Sequence, residues 1–297
     1  MNGTGRLPGD PSGVPGATLG LALRTVATGA RLGWAIESNW SDPLLFVIYS
    51  VAKPVASALI LVAILFVVTG AGDPQVVAYF VVGTALWNFV GGGLVGLVFG
   101  ILDDRERYRM LKYVFLAPAS LMPFLLGRSA ARVVIAAAGA VITLAVGWLL
   151  LGVRIDLLTM DWPLFLVSMA IGMVAIGALG IAMGGLCLQL RQEAWSYPEA
   201  VAGALYLVAG VVFPIDVLPA ALQGVALAMP FTWWLEGSRR ALLGAPTPGI
   251  MAGFDDPTVV FALLVSTAVL TLMSWVAFRA FVNRARERGL IDRVTSS

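Results

Sequence analysis

The stretch VLPAALQGVALAMPFTWWL, residues 217 to 235, decides how often this chain crosses a membrane. It is apolar and nearly the length of a crossing helix, which needs about 20 mostly apolar residues. Pro219, Pro230 and Gly224 interrupt it, and prolines inside a helix remove a hydrogen bond and clash with the preceding turn. The segment is therefore expected to double back as a re-entrant or interfacial helical hairpin, over residues 214 to 240. Broken backbone of this kind is tolerated at membrane depth only where protein buries it.

The rest of the chain fits that reading. Its 297 residues are 59% hydrophobic and 12% charged, with a mean hydropathy of +0.91, too little polar surface to cover a soluble globule. The expected fold is all-α and polytopic, with six transmembrane helices in stretches at roughly 44 to 69, 76 to 101, 121 to 152, 162 to 189, 196 to 213 and 257 to 282. The connections alternate in charge. Fifteen of the 19 Lys and Arg residues fall on one side, three (Arg154, Arg239 and Arg240) on the other, and Lys53 lies inside the first span. Because cytoplasmic loops carry the basic excess, both termini are expected in the cytoplasm, in a multi-pass protein of the inner (cytoplasmic) cell membrane. A seventh crossing through residues 217 to 235 would put the Arg-rich C-terminus outside.

Composition also excludes chemistry. There is no histidine, which removes the commonest general base and metal ligand, and the sole cysteine, Cys187, lies in an apolar run and offers no disulfide framework. No catalytic residue, metal site or nucleic-acid partner is expected. Residues 1 to 16 are Gly/Pro-rich without an apolar core and read as a disordered cytoplasmic tail, not a signal peptide. From 17 to 38, Leu19, Leu23, Val26, Ala30 and Trp34 recur at helical intervals opposite Arg24, Thr28 and Arg31, which predicts an amphipathic helix on the membrane surface. The six-span domain then covers 39 to 282, and a cytoplasmic tail covers 283 to 297.

Between the second and third spans lies LDDRERYRMLKYVFLAPAS, residues 102 to 120. Its alternating signs allow helix-spaced pairs, Asp103 with Arg107 and Glu106 with Arg109, so a short polar helix ending before Pro118 is expected. Such surface pairs contribute only about 0.3 to 0.5 kcal/mol each, so stability is a poor reason for the segment. A docking knob for a soluble partner is a better one. Arg128 and Arg132, four residues apart at the start of the third span, are expected to snorkel toward anionic headgroups. Asp216, Glu236, Arg239 and Arg240 are expected to be exposed on the outer side, with local ion pairing.

ERYRMLKYVFLAPAS resembles the cytoplasmic segment of the permease subunits of type-2 ATP-binding-cassette (ABC) exporters. Glu106 takes the position of that family's first acid, and Leu116, Ala117, Pro118 and Ser120 its ending. Arg109 and Met110 replace a Gly-Thr pair, and Lys112 a second acid. The segment VFPIDVLPAALQGVALAMPFTWWLEGSRRALLG, residues 212 to 244, is similar to the family's outer hairpin at Phe213-Pro214, Leu218-Pro219, Pro230, Arg239 or Arg240, and Leu243-Gly244. The resemblance implies a permease that dimerises with an identical copy or a related permease. It implies a cytoplasmic ATP-binding-cassette ATPase docked against the charged loop, at Asp103, Asp104, Arg105, Glu106, Arg107, Arg109 and Lys112. It further implies outward movement of an amphipathic drug, lipid or lipid-linked glycan. ATP and Mg would belong to that partner, since no G-x-x-x-x-G-K-[ST] occurs in this chain.

Lys53, Tyr206 and Asn88 are the candidate pathway residues, membrane lipids surround the spans, and the resemblance implies that spans one and five form much of the dimer seam. The pairs Gly92/Gly96 and Gly180/Gly184 let helices approach closely. The competing reading is a secondary transporter or lipid flippase driven by an ion gradient. It would want midplane ionisable residues and related halves, and this sequence offers one off-centre lysine and no evident repeat.

Overall fold

The computed structural model describes residues 15–38, 52, 55–56, 59–60, 63, 74–108, 110, 113–114, 121–153, 155–156, 158–190 and 194–287. Among them every regular element is helical and no strand occurs. Helix α1 runs Pro15–Ser38, α2 Pro74–Val90, and α3 Gly96–Glu106, with a π-helical turn Gly91–Val95 joining the last two. Then follow α4 Leu121–Leu151, α5 Trp162–Cys187, α6 Ser196–Val208, α7 Ala220–Ala228, α8 Pro230–Leu243 and α9 Asp256–Glu287. Four helices are long and apolar enough to cross a membrane: Pro74–Glu106, Met122–Leu151, Trp162–Cys187 and Asp256–Ala285. Most of the first expected span, 44 to 69, lies outside the described residues, and so does Lys53.

The continuous α2–α3 rod is the axis of the molecule, with 61% of its apolar window buried against 22% for α9. Helices α4 and α5 flank it, α1 lies on α4, and α8 and α9 lie on α5. The glycine pairs read from the sequence are contact points. A Cβ on Gly92 would meet Arg132 O at 2.7 Å, and one on Gly180 would meet the Leu94 Cα at 3.3 Å. Small residues permit such backbone approach where the lipid gives helices no hydrophobic reason to associate. At the α1–α4 crossing, Gly29 and Gly33 sit over the carbonyls of Phe124 and Arg128, and Gly127 over that of Val26. The face of α1 that meets the protein is therefore Thr25, Gly29 and Gly33, all buried, while Leu23 and Trp34 of the expected apolar stripe are exposed.

Three expected boundaries change. The fifth stretch, 196 to 213, forms a helix of only 13 residues, about 20 Å at 1.5 Å per residue, because Gly210 turns the chain with φ +76°. In the hairpin segment Gly224 stays inside α7 and does not break it, while Pro219 precedes that helix. The break falls at Met229, which is extended, and Pro230 opens α8, where its missing N–H is not needed. Gly244 closes α8 in the left-handed region at φ +71°. Finally, α9 continues to Glu287, into the region expected as a tail.

Candidate functional site

At one end of the molecule the termini of α1, α3, α4, α5 and α9 meet. Of the charged segment expected there as a short polar helix, Asp103, Asp104, Arg105 and Glu106 are the last turn of α3, the chain leaves it through a turn at Arg107 and Tyr108, and Tyr113 and Val114 are helical again; most of residues 109 to 120 lie outside the described residues. The sign alternation serves long-range pairing as well as the neighbouring Arg105–Glu106 pair. Asp103 binds not Arg107 but Arg132 of α4, Oδ2 accepting from Nη2 at 3.1 Å. Arg132 also donates from Nε to Glu37 Oε1 of α1 at 2.5 Å and from Nη1 to the Gly96 carbonyl at 2.9 Å. One guanidinium thus ties α4 to α1, to the end of α3 and to the backbone beside the π turn, where the regular hydrogen-bond ladder is interrupted.

One helical turn away, Arg128 is 2% exposed and faces Asp104, which is fully buried, with Nε donating to Oδ1 at 3.4 Å. The expected snorkelling of Arg128 and Arg132 is therefore corrected: both turn into the protein, because carboxylates on neighbouring helices supply counter-charges there. Arg105, 4% exposed, donates from Nη1 to the carbonyls of Cys187 and Leu188 at 3.3 and 3.2 Å, satisfying carbonyls that the end of α5 leaves without helical partners. It also pairs with Glu106 at 2.6 Å. Gln189 donates to the Phe281 carbonyl of α9 at 3.1 Å. Exposed in the described part of this segment are Arg107, stacked over Tyr108 at 5.6 Å, Tyr108 itself and Tyr113. Arg109 and Lys112 lie outside the described residues.

The opposite end carries a second polar assembly, and here the expected exposure is overturned. Glu236, Arg239 and Arg240 are 2%, 3% and 6% exposed, because α8 is wedged between α5 and α9; Asp216 alone of the four is exposed. Arg239 lies over the Tyr79 ring at 3.5 Å and donates to the carbonyls of Gly210 and Val211 at 2.8 and 2.7 Å. Tyr79 donates to the same Gly210 carbonyl at 2.5 Å. The backbone groups freed where α6 stops are thus held by side chains from α2 and α8. The local pairing does occur: Arg240 Nε donates to Glu236 at 2.7 Å and Nη1 to Asp256 at 2.8 Å. Burial opposes the Arg240 charge, but the hydrogen bonds to Asp256 and Glu236 outweigh it and hold its pKa above the ordinary arginine value.

Of the candidate pathway residues, Tyr206 meets Trp87 edge-on, ring centroids 5.4 Å apart. Asn88, next along α2, gives its amide to the Thr84 and Ala85 carbonyls at 3.1 Å each. Cys187 is buried beside the Ala194 carbonyl. Among the described residues no three Cys, Asp or Glu side chains gather into a metal site. The long-range pairs Arg128–Asp104, Arg132–Glu37 and Arg239–Tyr79 were missed by sequence reasoning. For Arg128 and Arg132 the available signal was a charge at the end of an apolar run with no local partner of opposite sign; Arg239, with Glu236 three residues before it, gave none.

Among the described residues every regular element is helical, four helices are able to cross a membrane, and the ion pairs gather at the two ends of the helices, the layout of an integral membrane protein. A model of the ABC-2 type transporter family matches residues 32–243, most of the chain. The protein belongs to that family, as a permease subunit. It is the transport subunit and not the catalytic one, and the family works with an ATP-binding cassette subunit. No curated protein matches the chain closely.

Proposed function

We propose that this permease exports an amphipathic drug, lipid or lipid-linked glycan, outward across the cytoplasmic membrane, as one half of a dimer with an identical or related permease. A separate subunit binds and hydrolyses ATP with Mg. The observation that supports this reading best is the ionic junction of Asp103 and Asp104 with Arg132 and Arg128. A push on the exposed turn at Arg107 and Tyr108 passes through α3 into α4, and through Arg132 and Glu37 into α1. In this reading the junction lies on the cytoplasmic side with both termini, the cassette subunit docks at the turn, and Asp104 and Arg105 transmit force without touching the partner. The Trp87–Tyr206 pair, with Asn88 one residue on, is then the described part of the substrate path.

Replacing Arg107 with Glu and Tyr108 with Ala together is expected to reduce co-purification of the cassette subunit at least roughly tenfold. That corresponds to losing about 1.4 kcal/mol or more of interface energy, while the permease stays monodisperse. In proteoliposomes containing both subunits, ATP-dependent movement of a fluorescent lipid should fall in parallel. A double variant that retains its ATPase partner and transports normally would remove the docking assignment.

A further inference from the structure

Helix α9 carries a polar site that neither the coupling nor the transport reading uses. Trp275, Arg279 and Asn283 lie four residues apart in sequence and therefore on one face of the helix, and all three are exposed. Arg279 stacks over the Trp275 ring at 3.8 Å. Phe278, Arg279, Val282 and Asn283 line an open surface cleft of about 360 Å³. Arg279 has no ion pair among the described residues. Stacking occupies the face of the guanidinium and leaves its edge N–H groups free, in the fork that fits a phosphate in two-point fashion.

Depth fixes what reaches this cleft. From Asp256, which opens α9, to Arg279 is about 35 Å at 1.5 Å per residue, close to the roughly 30 Å hydrocarbon thickness of a bilayer. Arg279 thus sits at the headgroup level, with Trp275 at the boundary where amphipathic rings settle. Just toward the membrane centre, Leu272, Met273 and Val276 are exposed, an apolar surface suited to an acyl chain. Just beyond, Arg284 adds a second exposed positive charge, with Glu287 one turn further on. The geometry points to a binding site for an anionic phospholipid: the phosphate on the edge of Arg279 with Asn283 beside it, and one acyl chain along Leu272 and Val276. A net positive site favours an anionic headgroup over a zwitterionic one, by roughly fivefold per basic residue at the surface.

The test uses the full chain, purified in detergent and titrated with vesicles of phosphatidylglycerol or of phosphatidylcholine, with retained lipid counted by native mass spectrometry. The wild type is expected to retain the anionic lipid at least roughly fivefold over the zwitterionic one, and excess inorganic phosphate should not displace it. Arg279→Gln should abolish the preference, and Trp275→Leu should weaken it. Arg279→Lys should keep only part of it, since charge remains without the stacked fork. Arg24→Gln, which removes an equal charge from α1, should leave it intact. Equal retention of both lipids by the wild type, an unchanged preference in Arg279→Gln, a loss as large in Arg24→Gln, or displacement by inorganic phosphate would each overturn the assignment. Matching elution of all variants in gel filtration separates lost binding from lost fold.

Discussion

Arg128 and Asp104 are both sequestered, yet they meet through one contact of 3.4 Å, while Asp104 Oδ2 and both terminal nitrogens of Arg128 have no hydrogen-bond partner among the described residues. Removing two charges from water costs several kcal/mol per ion, and a single loose contact recovers little of it. The pair is thus weak as a source of stability and costly to split. Asp104→Asn alone should lower unfolding stability in detergent by about 3 to 5 kcal/mol, because Arg128 is left buried without a counter-charge. Asp104→Leu combined with Arg128→Met should recover most of that loss. A double replacement as unstable as the single one would show that the pair contributes more than its geometry suggests. The sequence signals an arginine without a local acid but does not name its partner. It shows two arginines at the start of an apolar run, and the same spelling serves an arginine that reaches for headgroups. The acid that decides between the two lies 24 residues away.

At the scale of helices, long apolar runs mark α2–α3, α4, α5 and α9 directly, and Pro230 and Gly244 mark the ends of α8, since each acts through its own backbone. The stretch 196 to 213 misleads because hydropathy continues past the point where Gly210 turns the chain. The face of α1 is illegible for another reason. Amphipathic spacing ranks residues by apolarity, whereas the contact with α4 is decided by how little side chain is present, so glycines win over leucines. Gly127→Val would push its side chain into the Val26 carbonyl of α1, and overpacking of this kind costs about 1 to 3 kcal/mol. The expected result is faster proteolysis between α1 and the rest of the chain in the folded protein. Unchanged cleavage would mean that the crossing yields without cost. Arg107 and Tyr108 belong to this scale as well: the residues proposed to meet the cassette subunit are the ones that the helix end leaves over once its other charges have been drawn inward.

For the whole molecule, the polar groups collect at two poles, one holding Glu37, Asp103 and Arg132 and the other Asp216, Glu236 and Asp256. The proposed orientation puts the first pole inside the cell. On a Cys187→Ala background, a membrane-impermeant thiol reagent should label Leu158→Cys, whose parent side chain is 95% exposed, in intact cells. Arg107→Cys should react only after permeabilisation. Labelling of both from the same side would reverse the topology and with it the docking proposal. The lipid site on α9 belongs to the same layout, since Arg279 stands at the first pole.

The clasp around the Gly210 carbonyl also constrains how the protein is made. Tyr79 precedes Gly210 by 131 residues and Arg239 follows it by 29. At ribosomal rates of 5 to 20 residues per second, the phenol is available long before the carbonyl emerges, whereas the guanidinium arrives roughly 1 to 6 seconds after it. During that interval the Gly210 end of α6 has one of its two donors and must be shielded by the insertion machinery or by water, so biogenesis of this end is completed only once α8 has left the ribosome.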